Sequence, residues 1–137
     1  MSNADTLRRV FSLMDEKDFA SIRELLAPEF SAVFGGNPPM GADEWAGMGQ
    51  MFYAAFPDGK HTIHEIFEAG DHVFHRGSFS GTHTGDFMGM PTTGKDITIT
   101  EMTFDRFADG KLIEHRGEAD MLGLMQRLGA MPSLATT

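Results

Sequence analysis

The sequence predicts an α+β fold in which N-terminal helices cover one face of an antiparallel sheet, and three observations predict it. Apolar residues recur at helical spacing up to Phe56, where the breaker run FPDG begins. From Lys60 onward the pattern changes to period two and to short runs closed by turn residues. The two kinds of element are segregated along the chain, which places helices together on one side of an antiparallel sheet. A curved sheet covered in this way leaves an open cone, a natural place for a small molecule.

Each element follows from its own pattern. Residues 5–15 put Leu7, Val10, Phe11 and Met14 on one stripe, with Arg8 and Arg9 outside. Asp18 reads as the cap of a second helix carrying Phe19, Ile22, Leu25 and Leu26, which Pro28 ends. FSAVFGG is a short strand closed by glycines, and NPPMGAD is a loop. Asp43 then caps a third helix whose stripe is Trp45, Met48, Phe52 and Ala55 or Phe56. KHTIHEIFEAGDHVFHRGSFSGTH reads as two strands joined at EAGD, and TGDFMGMPTTGK as a glycine-rich loop. DITITEMTFDRF and KLIEHRGEAD flank ADGK, the clearest hairpin signal in the chain. A short helix from Met121 to Leu128 closes at Gly129.

The 137 residues suit one domain, residues 1–137. Residues 1–4 include SNA and read as a cloning remnant without a role, the native chain starting near Asp5. No apolar run approaches the roughly 20 residues of a membrane span, and MSNADTLRRV lacks the apolar core of a secretory signal. With no cysteine there is no disulfide, thiolate nucleophile or cysteine-ligated metal, which fits a cytoplasmic protein. A net charge of −9 with scattered basic residues argues against a nucleic-acid partner. The eleven methionines and twelve phenylalanines read either as core or as an adaptable apolar pocket.

The chemistry-bearing candidates are few. Asp120 ends a strand, where a carboxylate either caps the following helix or is held in a pocket for acid–base work. With Ala108 paired to Lys111, Asp120 lies opposite Ile99. Glu114, Arg116 and Glu118 then share a polar face with Glu101, Thr103 and Asp105, while Ile113, His115, Ala119, Met102 and Phe104 share the other. Plain alternation turns Asp120 outward, and a bulge near Gly117 would reverse it. HTIH and HVFH place their histidines on opposite strand faces, so no metal site is expected. His83, between a strand and the glycine-rich loop, is either an exposed loop histidine or a donor at the pocket mouth. No GxGxxG, phosphate loop or nucleophile elbow is present, and no cofactor is expected.

FPDG, AGDHVFHRGSFSGTHTGDFMGMPTTGK and FADGKLIEHRGEADMLGLMQRLG, in this order and from about Phe56 to Gly129, resemble the SnoaL-like polyketide cyclase family, within the superfamily shaped like nuclear transport factor 2 (NTF2). The resemblance implies an NTF2-like cone, with three N-terminal helices against a strongly curved antiparallel sheet, and a homodimer formed through the sheet. It implies a small-molecule substrate or ligand, no metal and no cofactor. It implies that Asp120, which matches the family's aspartate, is the general acid/base of an aldol-type ring closure. His83 is then the candidate donor to the enolate, and Trp45, Phe52, Phe56 and Met88 the candidate walls, with Glu101 and Arg116 also placed at the pocket. Where the family often carries tryptophan this chain has Arg116 and Gly77. Arg116 facing the pocket would favour an anionic substrate or lower the pKa of Asp120; Arg116 on the surface would pair with Glu101 or Glu118.

Three readings follow. The chain is a cofactor-free cyclase, isomerase or lyase working through Asp120. Alternatively it binds an apolar ligand without turning it over, or it is a structural dimer whose cone its own side chains fill. A cavity too small for about 10 heavy atoms would favour the last, since ligand pockets run to roughly 300 Å³ or more.

Overall fold

A computed structural model describes residues 1–132; residues 133–137 of the expected domain lie outside the described residues. The chain runs α1 (Asn3–Asp15), α2 (Phe19–Arg23), β1 (Leu26–Phe34), α3 (Ala42–Ala55), β2 (Lys60–Ala69), β3 (His72–Thr82), β4 (Asp96–Ala108), β5 (Lys111–Ala119) and α4 (Met121–Arg127). The strands form one sheet in the order β1-β5-β4-β3-β2. The α+β cone is as predicted, except that the sheet is mixed: β1 runs parallel to β5, and the other pairs are antiparallel.

Local chemistry explains the shifted boundaries. Ser2 caps α1, its hydroxyl accepting from Asp5 N–H while Asp5 accepts from Ser2 N–H, so the helix starts at Asn3, ahead of Asp5. The second helix stops at Arg23, and Leu26 opens β1. Pro28 therefore lies in an edge strand, inside the irregular stretch between Leu26 and Ser31, where its missing N–H costs no ladder bond. Gly41, not Asp43, caps α3; its N–H bonds to Glu44, and Asp43 pairs with Arg23. The ADGK hairpin is as expected, with Ala108 opposite Lys111 and positive φ at Asp109 and Gly110.

The helices pack on one face of the sheet, α1 against β2 and β3 and α3 against β1. The buried core joins Leu7, Val10 and Phe11 of α1 to Phe79, Ile97, Ile99 and Phe107 of the sheet. Two strand irregularities set which side chains face it. Arg106 pairs with Glu114 but Phe107 pairs with Leu112, so Ile113 is an extra residue and bulges from β5. Likewise Ile63 pairs with Gly77 and Glu65 with Arg76, leaving His64 as the bulge in β2. Among the described residues no helix is long and apolar enough to cross a membrane.

Candidate functional site

The bulge at Ile113 reverses the facing expected for most of β5. Asp105 lies opposite His115, Thr103 opposite Gly117, and Glu101 opposite Ala119. The row Glu101, Thr103, Asp105 therefore shares its face with His115, Gly117 and Ala119, and it is the inner face. Thr103, Asp105, His115 and Gly117 are all buried. The outer face carries Met102 and Phe104, each about half exposed (48% and 49%). The polar row expected to face water lines the cone, and the apolar row faces out.

A cavity of about 80 Å³ lies between this row and the helices. Phe11 and Met14 of α1, Trp45, Met48, Phe52 and Tyr53 of α3, His61 of β2 and Phe79 of β3 wall it opposite Glu101, Thr103 and His115. Phe34, Met48, Glu118 and Met121 line it while keeping some exposure. Met14, Met48 and Met121 are unbranched and re-pack readily.

Two histidine–aspartate pairs meet at this cavity. In the first, Asp105 is fully buried and accepts from Thr103 O–H at 2.7 Å and from His115 Nδ1. Because Thr103 gives its one hydrogen to Asp105, its oxygen accepts from His75 Nδ1 at 3.1 Å. Burial opposes a charge on His115, but the charge and hydrogen bond of Asp105, with the charge of Glu101, outweigh it and raise the His115 pKa. His115 Nδ1 is thus committed to Asp105, and Nε2 has no protein partner among the described residues. In the second pair, Asp15 Oδ1 accepts from His61 Nδ1 at 2.8 Å and from Tyr53 O–H at 2.7 Å, and the backbone N–H of His61 adds a bond at 3.1 Å. Burial raises the Asp15 pKa, but the bonds from His61 and Tyr53 prevail and hold it below the usual range. Burial and the adjacent Asp15 push the Tyr53 phenol up, so Tyr53 remains a donor.

Glu101 lies between the two pairs. Its Oε1 is buried without a hydrogen-bond partner among the described residues and stands 3.7 Å from His61 Nε2. Burial raises its pKa, against the lowering charges of His61 and His115. A desolvated carboxylate and His115, whose pKa is raised, place a base and a donor on the wall of one cavity.

The structure brings Trp45, Phe52 and Glu101 together at this cavity and corrects the remaining placements. Asp120 is exposed and caps α4, accepting from Gly123 N–H at 2.9 Å; its own N–H bonds to Thr100 O, which holds it on the outward register. His83 is fully buried, not at a mouth: its Nδ1 accepts from Thr93 N–H at 3.2 Å, and its ring lies 5.5 Å from that of Phe56, away from the cavity. Phe56 belongs to the core behind α3, and Met88 is 65% exposed in the β3–β4 loop. Arg116 points outward and pairs with Glu114 at 2.9 Å, neither entering the cavity nor pairing with Glu101 or Glu118. Gly77 stands opposite Glu101 where no side chain fits, since a Cβ there would lie 2.2 Å from Thr62 O.

Sequence reasoning missed Asp15, Tyr53, His61, Asp105 and His115 as a group. The available signals were Asp15 four residues after Phe11 on the buried stripe of α1, and Tyr53, the chain's single tyrosine, on α3. His115 needed the bulge.

Comparison with known proteins agrees with this architecture. The chain is 28% identical over 130 residues to the aklanonic acid methyl ester cyclase DauD of Streptomyces sp. (strain C5), covering 91% of this chain and 80% of that protein. It is 35% identical over 65 residues to the aklanonic acid methyl ester cyclase DnrD of Streptomyces peucetius, a match spanning 47% of this chain and only 45% of that protein's length. The structure of IdmH from Streptomyces antibioticus superposes with a TM-score of 0.85 at 30% identity, covering 94% of this chain and 99% of that one. The family model for SnoaL-like polyketide cyclase matches residues 4–128, and the chain belongs to that family.

Proposed function

We propose that the chain is a cyclase- or isomerase-type enzyme acting on a small carbonyl compound inside the cone, with Glu101 as general base and the imidazolium of His115 as donor. The observation that carries this reading is the Glu101 carboxylate: largely buried, at the cavity wall, with one oxygen lacking a hydrogen-bond partner among the described residues. Glu101 takes a proton from the carbon next to a carbonyl. The electron pair moves to the carbonyl oxygen, where His115 Nε2–H donates to the developing charge. In a ring closure the enolate carbon attacks a second carbonyl of the same molecule, and the alkoxide so formed takes the proton from Glu101. Every group used belongs to this chain. The base expected at Asp120 is not retained, because that carboxylate is occupied in capping α4.

One observation favours the structural reading instead. At about 80 Å³ the cavity is below the roughly 300 Å³ of ordinary ligand pockets. Against it, a cone filled only for assembly gains nothing from a buried carboxylate with an unpaired oxygen, a group that costs several kcal/mol on an order-of-magnitude scale. Rotation of Met48 and Met121 would enlarge the site. The test is deuterium exchange at the acidic carbon of methyl acetoacetate in D2O, followed by proton NMR. Glu101→Gln is expected to lose about a hundredfold of the enzyme-dependent rate, and Asp120→Asn to keep it. A rate unchanged in Glu101→Gln would refute the assignment. Binding of methyl acetoacetate without exchange in wild type would point to a non-catalytic binder. The sheet's outer face supports a homodimer, as argued below.

A further inference from the structure

The pair His61–Asp15 has no part in that mechanism, yet it is the better connected of the two. We propose that His61 is a proton shuttle linking Glu101 to solvent in an outer groove, so that the proton taken from substrate exchanges with bulk water before it is returned. The inference rests on Glu101 acting as base.

Three observations carry it. His61 lines the inner cavity and also a second, outer groove of about 440 Å³ formed with Arg8, Ser12, Asp15 and Lys60. Among the described residues it is the only polar side chain common to both. Its tautomer is fixed by Asp15: a carboxylate only accepts, so Nδ1 carries the hydrogen and Nε2 presents its lone pair inward. That lone pair faces Glu101 Oε1 across 3.7 Å, and this oxygen has no hydrogen-bond partner among the described residues. The two atoms become complementary when Glu101 has taken the substrate proton, because its O–H then faces the Nε2 lone pair. The gap closes by a small rotation of either side chain or by one water.

The transfer balances without a co-reactant. After Glu101 has accepted the substrate proton, its O–H bond breaks and an N–H bond forms at His61 Nε2. The N–H bond at Nδ1 breaks toward Asp15, which passes the proton to water in the groove. The reverse route returns a solvent proton to Glu101. Asp15, with Tyr53 bonded to it, holds the ring in line for both directions.

The experiment uses the full chain and methyl acetoacetate in D2O. His61→Ala joins the groove to the cavity, and we expect it to slow exchange by about tenfold or more, with added imidazole restoring most of the rate. His61→Gln fills the space but cannot carry a proton, and is expected to be slow without rescue. Exchange at the wild-type rate in His61→Ala, with Glu101→Gln inactive, would overturn the shuttle alone. A slow His61→Ala that imidazole does not restore would mark a structural role and also overturn it. A wild-type rate in Glu101→Gln would overturn the shuttle and the assignment of the base together.

Discussion

His75 is fully buried, and its Nε2 has no hydrogen-bond partner among the described residues. Burial, against the raising charge of Asp105, lowers its pKa from 6.5 to about 4. The folded state therefore binds fewer protons than the unfolded chain between these values. Stability from this group is fully present above pH 6.5 and is lost as pH falls toward 4, by about 3 kcal/mol over the whole window. Glu101 and His115, whose values are raised, have the opposite sign and gain stability as pH falls. A variant isolates the one histidine: between pH 7 and 4 the wild type should lose urea stability relative to His75→Phe. An equal pH dependence in the two proteins would show that His75 is not held neutral. At this scale the sequence shows which carboxylates end or line a strand, but not which of them faces the cavity. Glu101 is the carboxylate at the cavity wall, and Asp120 is exposed. The position of Asp120 at a strand end is visible in the string, whereas its bond from Gly123 N–H is not.

The elements explain that substitution. Hairpin signals, helix stripes and the glycine stop after α4 were all legible, because turn residues and periodicity are local. The bulges were not. Ile113 has no glycine or proline beside it, and one extra residue exchanges the faces of all that follows on the strand. Without it Asp105 would stand opposite Glu114, and the Asp105–His115 pair would not exist. The glycine suspected instead, Gly117, is in regular register and leaves cavity space beside His115. Gly77 is the position where the backbone does demand glycine. The bulged strand β2 brings Thr62 O within 2.2 Å of where a Cβ would sit, and backbone cannot swing aside as a side chain does. Gly77→Ala should lower stability by about 1–3 kcal/mol, read as a lower melting temperature. An unchanged melting temperature would show that β2 yields freely.

At the scale of the whole molecule, part of the sheet's apolar surface faces away from the helices. Phe67, Phe74, Met102 and Phe104 are 60%, 36%, 48% and 49% exposed on the outer face. An apolar face of this kind supports the proposed homodimer through the sheet. Phe104→Glu should then shift the protein to monomer in sedimentation, and a monomeric wild type would refute the proposal. The fold class was legible because segregated helices and strands leave few architectures. The parallel pairing of β1 was not, since the pattern of one edge strand does not reveal its neighbour. The central claim is that the cone keeps one carboxylate dry and ready to act as a base. A carboxyl-carbon NMR titration of Glu101, assigned with Glu101→Gln, tests it most directly. The account predicts a midpoint clearly above the ordinary glutamate value of about 4.3. A midpoint at or below that value would mean a solvated or ion-paired Glu101, and the proposed chemistry would fail with it.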